Sequence, residues 1–166
     1  DNTIWSAAGD DIINAGAGND FINSGRGTDI ITTGSGSDKI IIQSNQVSYT
    51  IDTADRITDF EAGRDNFALD GIKFSDITIT QGTDTYASHT ILSMLDASSV
   101  VTYLSVLENV NASVLNETDF IEDMFSKKTL TASIDKWQPG DQTASSWLEE
   151  PSIKLYRKEI ADNEGI

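Results

Sequence analysis

Four aspartates recur at intervals of nine residues: Asp11, Asp20, Asp29 and Asp38. Two places before each stands a glycine (Gly9, Gly18, Gly27, Gly36), and four places before the last three stand Gly16, Gly25 and Gly34, with Ala7 in the equivalent place before Asp11. Aspartate supplies hard carboxylate oxygens. Glycine leaves its backbone carbonyl unobstructed, so the two together offer the ligand set of a hard divalent cation. An oxygen-only set disfavours zinc and copper, and a shell of six or more oxygens suits Ca²⁺ better than the tight octahedron of Mg²⁺.

The same nine-residue rhythm dictates the elements that would position these groups. Residues 6–41 align as SAAGDDIIN, AGAGNDFIN, SGRGTDIIT and TGSGSDKII, with Ile13, Ile22, Ile31 and Ile40 always eighth. Extended backwards, the pattern places Asn2 sixth and Ile4 eighth, so the chain begins inside a repeat. The glycines permit the positive φ of tight turns, and the D-x-Ile-x end of each unit has the two-residue period of a short strand. Three-residue strands are not stable alone, but stacked coils bury one continuous column of isoleucines. Two nonapeptides per coil would stack Asp11 on Asp29 and Asp20 on Asp38, roughly one strand spacing of 4.8 Å apart. Carboxylates that close repel unless a divalent cation lies between them. The seventh-position side chains Ile12, Phe21 and Ile30 should point outward and pack under neighbouring segments.

These residues closely resemble the RTX nonapeptide G-G-x-G-x-D-x-U-x, in which U is a large apolar residue. The chain departs from that pattern at Ala7, at Asn2, and at the first position of each unit, occupied by Ser6, Ala15, Ser24 and Thr33. The resemblance implies an all-β chain: a calcium-binding parallel β-roll of the right-handed β-helix type over residues 1–45, then a β-rich capping segment over 46–125. It also implies a short, partly helical tail over 126–166. It assigns the metal to Asp11, Asp20, Asp29 and Asp38 with Gly9, Gly16, Gly18, Gly25, Gly27, Gly34 and Gly36. Proteins of this family are exported from Gram-negative bacteria by the type I secretion machinery and fold outside the cell. The expected protein is therefore a non-catalytic, secreted, calcium-binding module of a larger protein. Polysaccharide-modifying enzymes such as alginate epimerases and lyases carry similar modules, so polysaccharide binding is the alternative.

After residue 41 the pattern fails, and Val47 stands where the next aspartate would fall. The run Asp55-Arg56-Ile57-Thr58-Asp59-Phe60 is similar to the segment that follows the last repeat in RTX modules, which implies that Asp55 completes a site near Asp38. Strand signals follow at 77–79, 90–95 and 100–106, the last two reading as a hairpin that covers the roll's edge. Residues 116–125 suggest a helical turn. In the tail, Pro151 could open a short helix carrying Ile153, Tyr156 and Ile160. That segment is either the export signal or a linker packed on the cap.

Composition narrows the rest. Among 166 residues, 27 acidic side chains oppose 11 basic ones for a net charge of −16, a sign unsuited to nucleic acid or anionic membrane. The charge is −4 over residues 1–45, −11 over 46–125 and −1 over 126–166, so the capping segment is the most acidic part. The absence of cysteine excludes disulfides and thiol chemistry, and the single histidine, His89, precludes a two-histidine metal site and reads as a cap residue. No apolar run is long enough to span a bilayer, and the N-terminus lacks the pattern of a secretory leader. The sequons at Asn111 and Asn116 are short enough to arise by chance.

Overall fold

In the computed structural model, residues 1–122 are described. They form eleven strands: β1 (Thr3–Trp5), β2 (Ile12–Asn14), β3 (Phe21–Asn23), β4 (Ile30–Thr32), β5 (Lys39–Gln43), β6 (Asp55–Ile57), β7 (Asn66–Asp70), β8 (Ile77–Gln81), β9 (Thr90–Leu95), β10 (Val101–Leu107) and β11 (Phe120–Ile121). Among the described residues the only helices are single 3₁₀ turns, and none is long and apolar enough to cross a membrane. The expectations placed on residues 126–166 lie outside the described residues.

The chain winds between two sheets. One has the order β1-β3-β5-β7-β11 and is parallel throughout; the other has the order β2-β4-β6-β10-β9-β8, parallel as far as β10 and antiparallel beyond it. This is a β-roll, with two nonapeptides to each coil. The registers fix the stacking: Ile4, Ile22, Ile40, Phe67 and Phe120 lie above one another in the first sheet, and Ile13, Ile31, Ile57 and Leu107 in the second. These columns face each other as the core, and all but Ile4 are buried. Each isoleucine buried in this way contributes roughly 1.5–3 kcal/mol. Further along the column larger side chains take over, and Phe60, Phe67 and Phe120 stack with ring centroids 4.7 and 5.3 Å apart.

The period of 18 residues between stacked coils holds through β5 and then lengthens, because residues 44–54 form an excursion with a 3₁₀ turn at Ile51–Thr53. The sheets nevertheless continue without a break into β6 and β7. The hairpin of β9 and β10 forms as its sequence implies, its turn closed by Asp96 accepting from the amides of Ser98 and Val100. β10 then pairs with β6 in parallel and covers that edge of the roll. The turn expected over 116–125 is shorter than its sequence suggested: one 3₁₀ turn at Glu117–Asp119, then strand β11, because Phe120 pairs with Phe67 rather than continuing a helix. Both sequons serve as caps, with the Asn111 and Asn116 side chains accepting from the amide and hydroxyl of Ser113 and Thr118. His89 precedes β9, and its Nδ1 accepts from the Asn109 amide. As expected, Ile12 and Ile30 point outward, but Ile12 stays 84% exposed, with nothing packed over it.

Candidate metal centre

Each sixth-position residue lies beneath its counterpart one coil above, joined by one repeated contact. The amide of Asp11 donates to Asp29 Oδ1 at 2.9 Å, that of Asp20 to Asp38 Oδ1 at 2.8 Å, and that of Asn2 to Asp20 Oδ1 at 2.5 Å. One oxygen each of Asp20, Asp29 and Asp38 is thereby committed to holding the coils in register. The other is not. Oδ2 of Asp11, Asp20, Asp29 and Asp38 is buried and takes no hydrogen bond. A buried acceptor without a partner costs about 1–3 kcal/mol, and more when charged, so four in one regular array are a consistent demand for an external partner.

The turns supply more oxygen. Gly27 has φ +148°, and a Cβ built on it would lie 2.1 Å from the carbonyl oxygen of Gly9; at Gly36, with φ +145°, the clash would be 1.9 Å from that of Gly18. Successive turns thus approach more closely than any other residue allows. The carbonyls of Ala7 and Gly16 are held by the amides of Arg26 and Ser35, whereas those of Gly9, Gly18, Gly27 and Gly36 accept nothing from the described residues. Among the described residues no three carboxylate or imidazole side chains converge on one point. A cation here must draw on carboxylate pairs and backbone oxygens together, the donor chemistry of Ca²⁺. The residues present fit that ion.

The closing segment sorts carboxylates by how they are satisfied. Asp55 lies above Asp29, whose amide donates to Asp55 Oδ1 at 3.0 Å; it is not beside Asp38, where the resemblance placed it. The place above Asp38 belongs to Asp65, which receives the Asp38 amide at 3.2 Å and the Glu61 amide at 2.9 Å. The reason is the excursion at 44–54, which replaces the 18-residue period with separations of 26 and 27. Asp59 takes the amide and hydroxyl of Thr33 and the amide of Gly34, and Asp119 takes the amides of Gly63 and Asn116. In Asp59, Asp65 and Asp119 each oxygen accepts a backbone amide, which marks them as structural, whereas Asp55 has an amide on Oδ1 and only the Ser24 hydroxyl on Oδ2. Asp10, one place before Asp11, is exposed and accepts from the Thr28 amide.

Sequence reasoning missed Asp65, Asp59 and the first-position hydroxyls. Ser24 donates to Asp55 Oδ2 at 3.2 Å and Thr33 to Asp59, so these departures from glycine serve the closing turn. Burial and proximity also shift the acids. Burial, with Asp11 and Asp10 adding repulsion, raises Asp29 above the ordinary carboxylate range despite the Asp11 amide and Ser24. Burial pushes Asp55 to about 7, with the charge of Asp29 adding to it. Burial raises Asp65 as well, with Asp38 adding and the Glu61 and Asp38 amides opposing. Carboxylates in this state gain from a cation more than from water.

Fold and site together define a parallel β-roll whose turns stack carboxylates and open carbonyls between coils. Residues 5–40 match the family model of the RTX calcium-binding nonapeptide repeat in four copies, and the ion such repeats bind is Ca²⁺. Among solved structures, the R3 subunit of AlgE6, a mannuronan C5-epimerase of Azotobacter vinelandii, is similar at 22% identity and a TM-score of 0.50, over 69% of this chain and 67% of that one. The R2 subunit of the same epimerase aligns at 18% identity and a TM-score of 0.48, over 64% and 73%. At this identity the R3 likeness speaks to the fold alone. No curated protein sequence matches the chain.

Proposed function

We propose that this calcium-binding module folds on binding Ca²⁺ and does so outside the cell, in support of the type I secretion and stability of a larger secreted protein. Asp11 with Asp29, and Asp20 with Asp38, hold the ion between coils. The carbonyls of Gly9, Gly18, Gly25, Gly27, Gly34 and Gly36 complete the shells, that of Gly16 being held by the Ser35 amide, and Asp55 serves the last coil above Asp29. The observation that carries this reading is the set of four buried Oδ2 atoms without a partner. The ion supplies charge neutralisation. The residues supply a stack that is unfavourable without it, so binding free energy becomes folding free energy. Extracellular calcium modules have dissociation constants of about 10⁻⁴–10⁻³ M, so such sites stay empty in the cytosol and fill outside it. The roll over 1–45 and its cap over 46–125 are then one calcium-dependent unit with no catalytic role, and residues 126–166 are its export signal or linker. Far-ultraviolet circular dichroism in chelator and in millimolar Ca²⁺ tests this. We expect a coil-to-β transition that Mg²⁺ reproduces poorly, and a fold indifferent to chelator would contradict it.

Polysaccharide binding is the second reading. It is favoured by Trp5, 49% exposed, whose ring lies 6.4 Å from that of Phe21, with Lys39 the strand neighbour of Phe21. Retention on a polysaccharide column that is lost in Trp5→Ala and Lys39→Ala would support it.

A further inference from the structure

The register carries one aspartate column past the repeats. In the second sheet Ile12, Ile30, Arg56 and Val106 are successive neighbours. The residues before them are Asp11, Asp29, Asp55 and Ser105, the last two being direct partners across β6 and β10. Ser105 therefore holds, on the cap hairpin, the place an aspartate holds in the coils. A bulge in the β9–β10 pairing between Tyr103 and Ser105 sets its direction. Bulges re-aim side chains, and here Leu104, Ser105 and Val106 are buried in succession.

Ser105 Oγ is buried and has no hydrogen-bond partner. Together with Asp55 it lines a space of about 10 Å³ whose other walls are isoleucines of β4, β5 and β6, Leu104, and the polar residues Gln43 and Gln46. A hydroxyl abandoned in such a place costs about 1–3 kcal/mol. The volume is that of one water molecule, for which about 10–15 Å³ is needed. One carboxylate, one hydroxyl and two glutamines among otherwise aliphatic walls fall short of the six or more oxygens a calcium ion requires, and the space holds one water-sized occupant.

We propose that a single water molecule is bound at this junction, donating to the Asp55 carboxylate and hydrogen-bonded to Ser105 Oγ, and that it ties the end of the carboxylate column to the cap hairpin. The link to calcium rests on the reading of Asp55 as a ligand; the hydration itself does not. Water-to-protein magnetisation transfer on the full chain tests the hydration. A long-lived water at Ser105 that disappears in Ser105→Val, which fills the space, is the expected result. A dry Ser105 in the unaltered chain would overturn the proposal. The link is tested by calcium titrations of Ser105→Ala, Asp55→Asn and the double variant. Ser105→Ala should weaken affinity about fivefold, the worth of one hydrogen bond, and should have no effect once Asp55 is replaced. Equal effects in both backgrounds would overturn the link. A chain that takes up no calcium would defeat the calcium reading while leaving the water measurement to decide on its own.

Discussion

Asp29 separates a metal-ligand role from a structural one by the sign of its effect. It sits at the middle of its column, between Asp11 and Asp55, with Oδ1 taken by the Asp11 amide and Oδ2 buried and unpartnered. Asp29→Asn keeps the shape and the Oδ1 acceptor but removes the charge. Two unit charges one strand spacing apart repel by about 3 kcal/mol at an effective dielectric constant of about 20, and at about pH 8, where Asp55 has lost its proton, Asp29 faces such a neighbour on each side. In chelator the substitution relieves repulsion, so the folded state should be no less stable than in the parent chain. In calcium it removes a charged ligand serving the coils on both sides. The loss of affinity should reach at least the 10–100-fold, roughly, that a metal site suffers when a supporting contact is removed. Asp10→Asn is the control, because Asp10 is exposed and its contact to the Thr28 amide survives the change. Thermal melts in chelator and calcium titrations by circular dichroism give both numbers. If Asp29→Asn destabilises equally with and without calcium, or if Asp10→Asn weakens calcium binding as much, the assignment of the column fails.

The remaining expectations use other parts of the fold. Gly36→Ala places a Cβ 1.9 Å from the Gly18 carbonyl at φ +145° and should abolish calcium-induced folding, whereas Gly63→Ala, at φ +79° with nothing within 4 Å, should show only backbone strain of about 1–3 kcal/mol; calcium midpoints of the two variants compare them. Acidity should act oppositely on the two states. Asp55 holds its proton up to about 7 in the folded metal-free chain against an ordinary 3.8, so that contribution is complete below about pH 4 and lost as pH rises through 7. The chain in chelator should therefore gain structure from pH 8 to pH 5 while calcium affinity falls over the same interval, and a metal-free chain most structured at pH 8 would contradict this. Phe67→Ala, at a wholly buried position between Phe60 and Phe120, should cost about 3–5 kcal/mol in calcium-loaded melts, and Ile12→Ala less than about 0.5.

What could be read from the amino acids alone was whatever the nine-residue period encodes locally. Gly, Asp and Ile at fixed offsets specify the turn, the stacked carboxylates and the core column, and equal spacing makes stacking at 18 the natural register, as the ladder from Asp11 to Asp29 bears out. The hairpin was legible for a similar reason, because its alternating strands flank a turn closed by Asp96. The place of Asp55 was not. It depends on how many residues the excursion at 44–54 removes from the winding, and nothing in that stretch fixes the count until β6 meets β4 and β10 meets β6, a pairing 50 residues apart. Asp65 was hidden by the same irregularity. The structure also separates residues that look alike in sequence. Asp38 and Asp65 are both fully buried aspartates in one column, yet Asp65 has an amide on each oxygen and Asp38 on only one. On the calcium reading, closing the roll and binding a cation are thus distinguished by a single donor, the Glu61 amide, that the turn after β6 brings to Asp65 and that no coil brings to Asp38. A carboxylate so satisfied ends the column, because a metal there would have to displace a hydrogen bond already made.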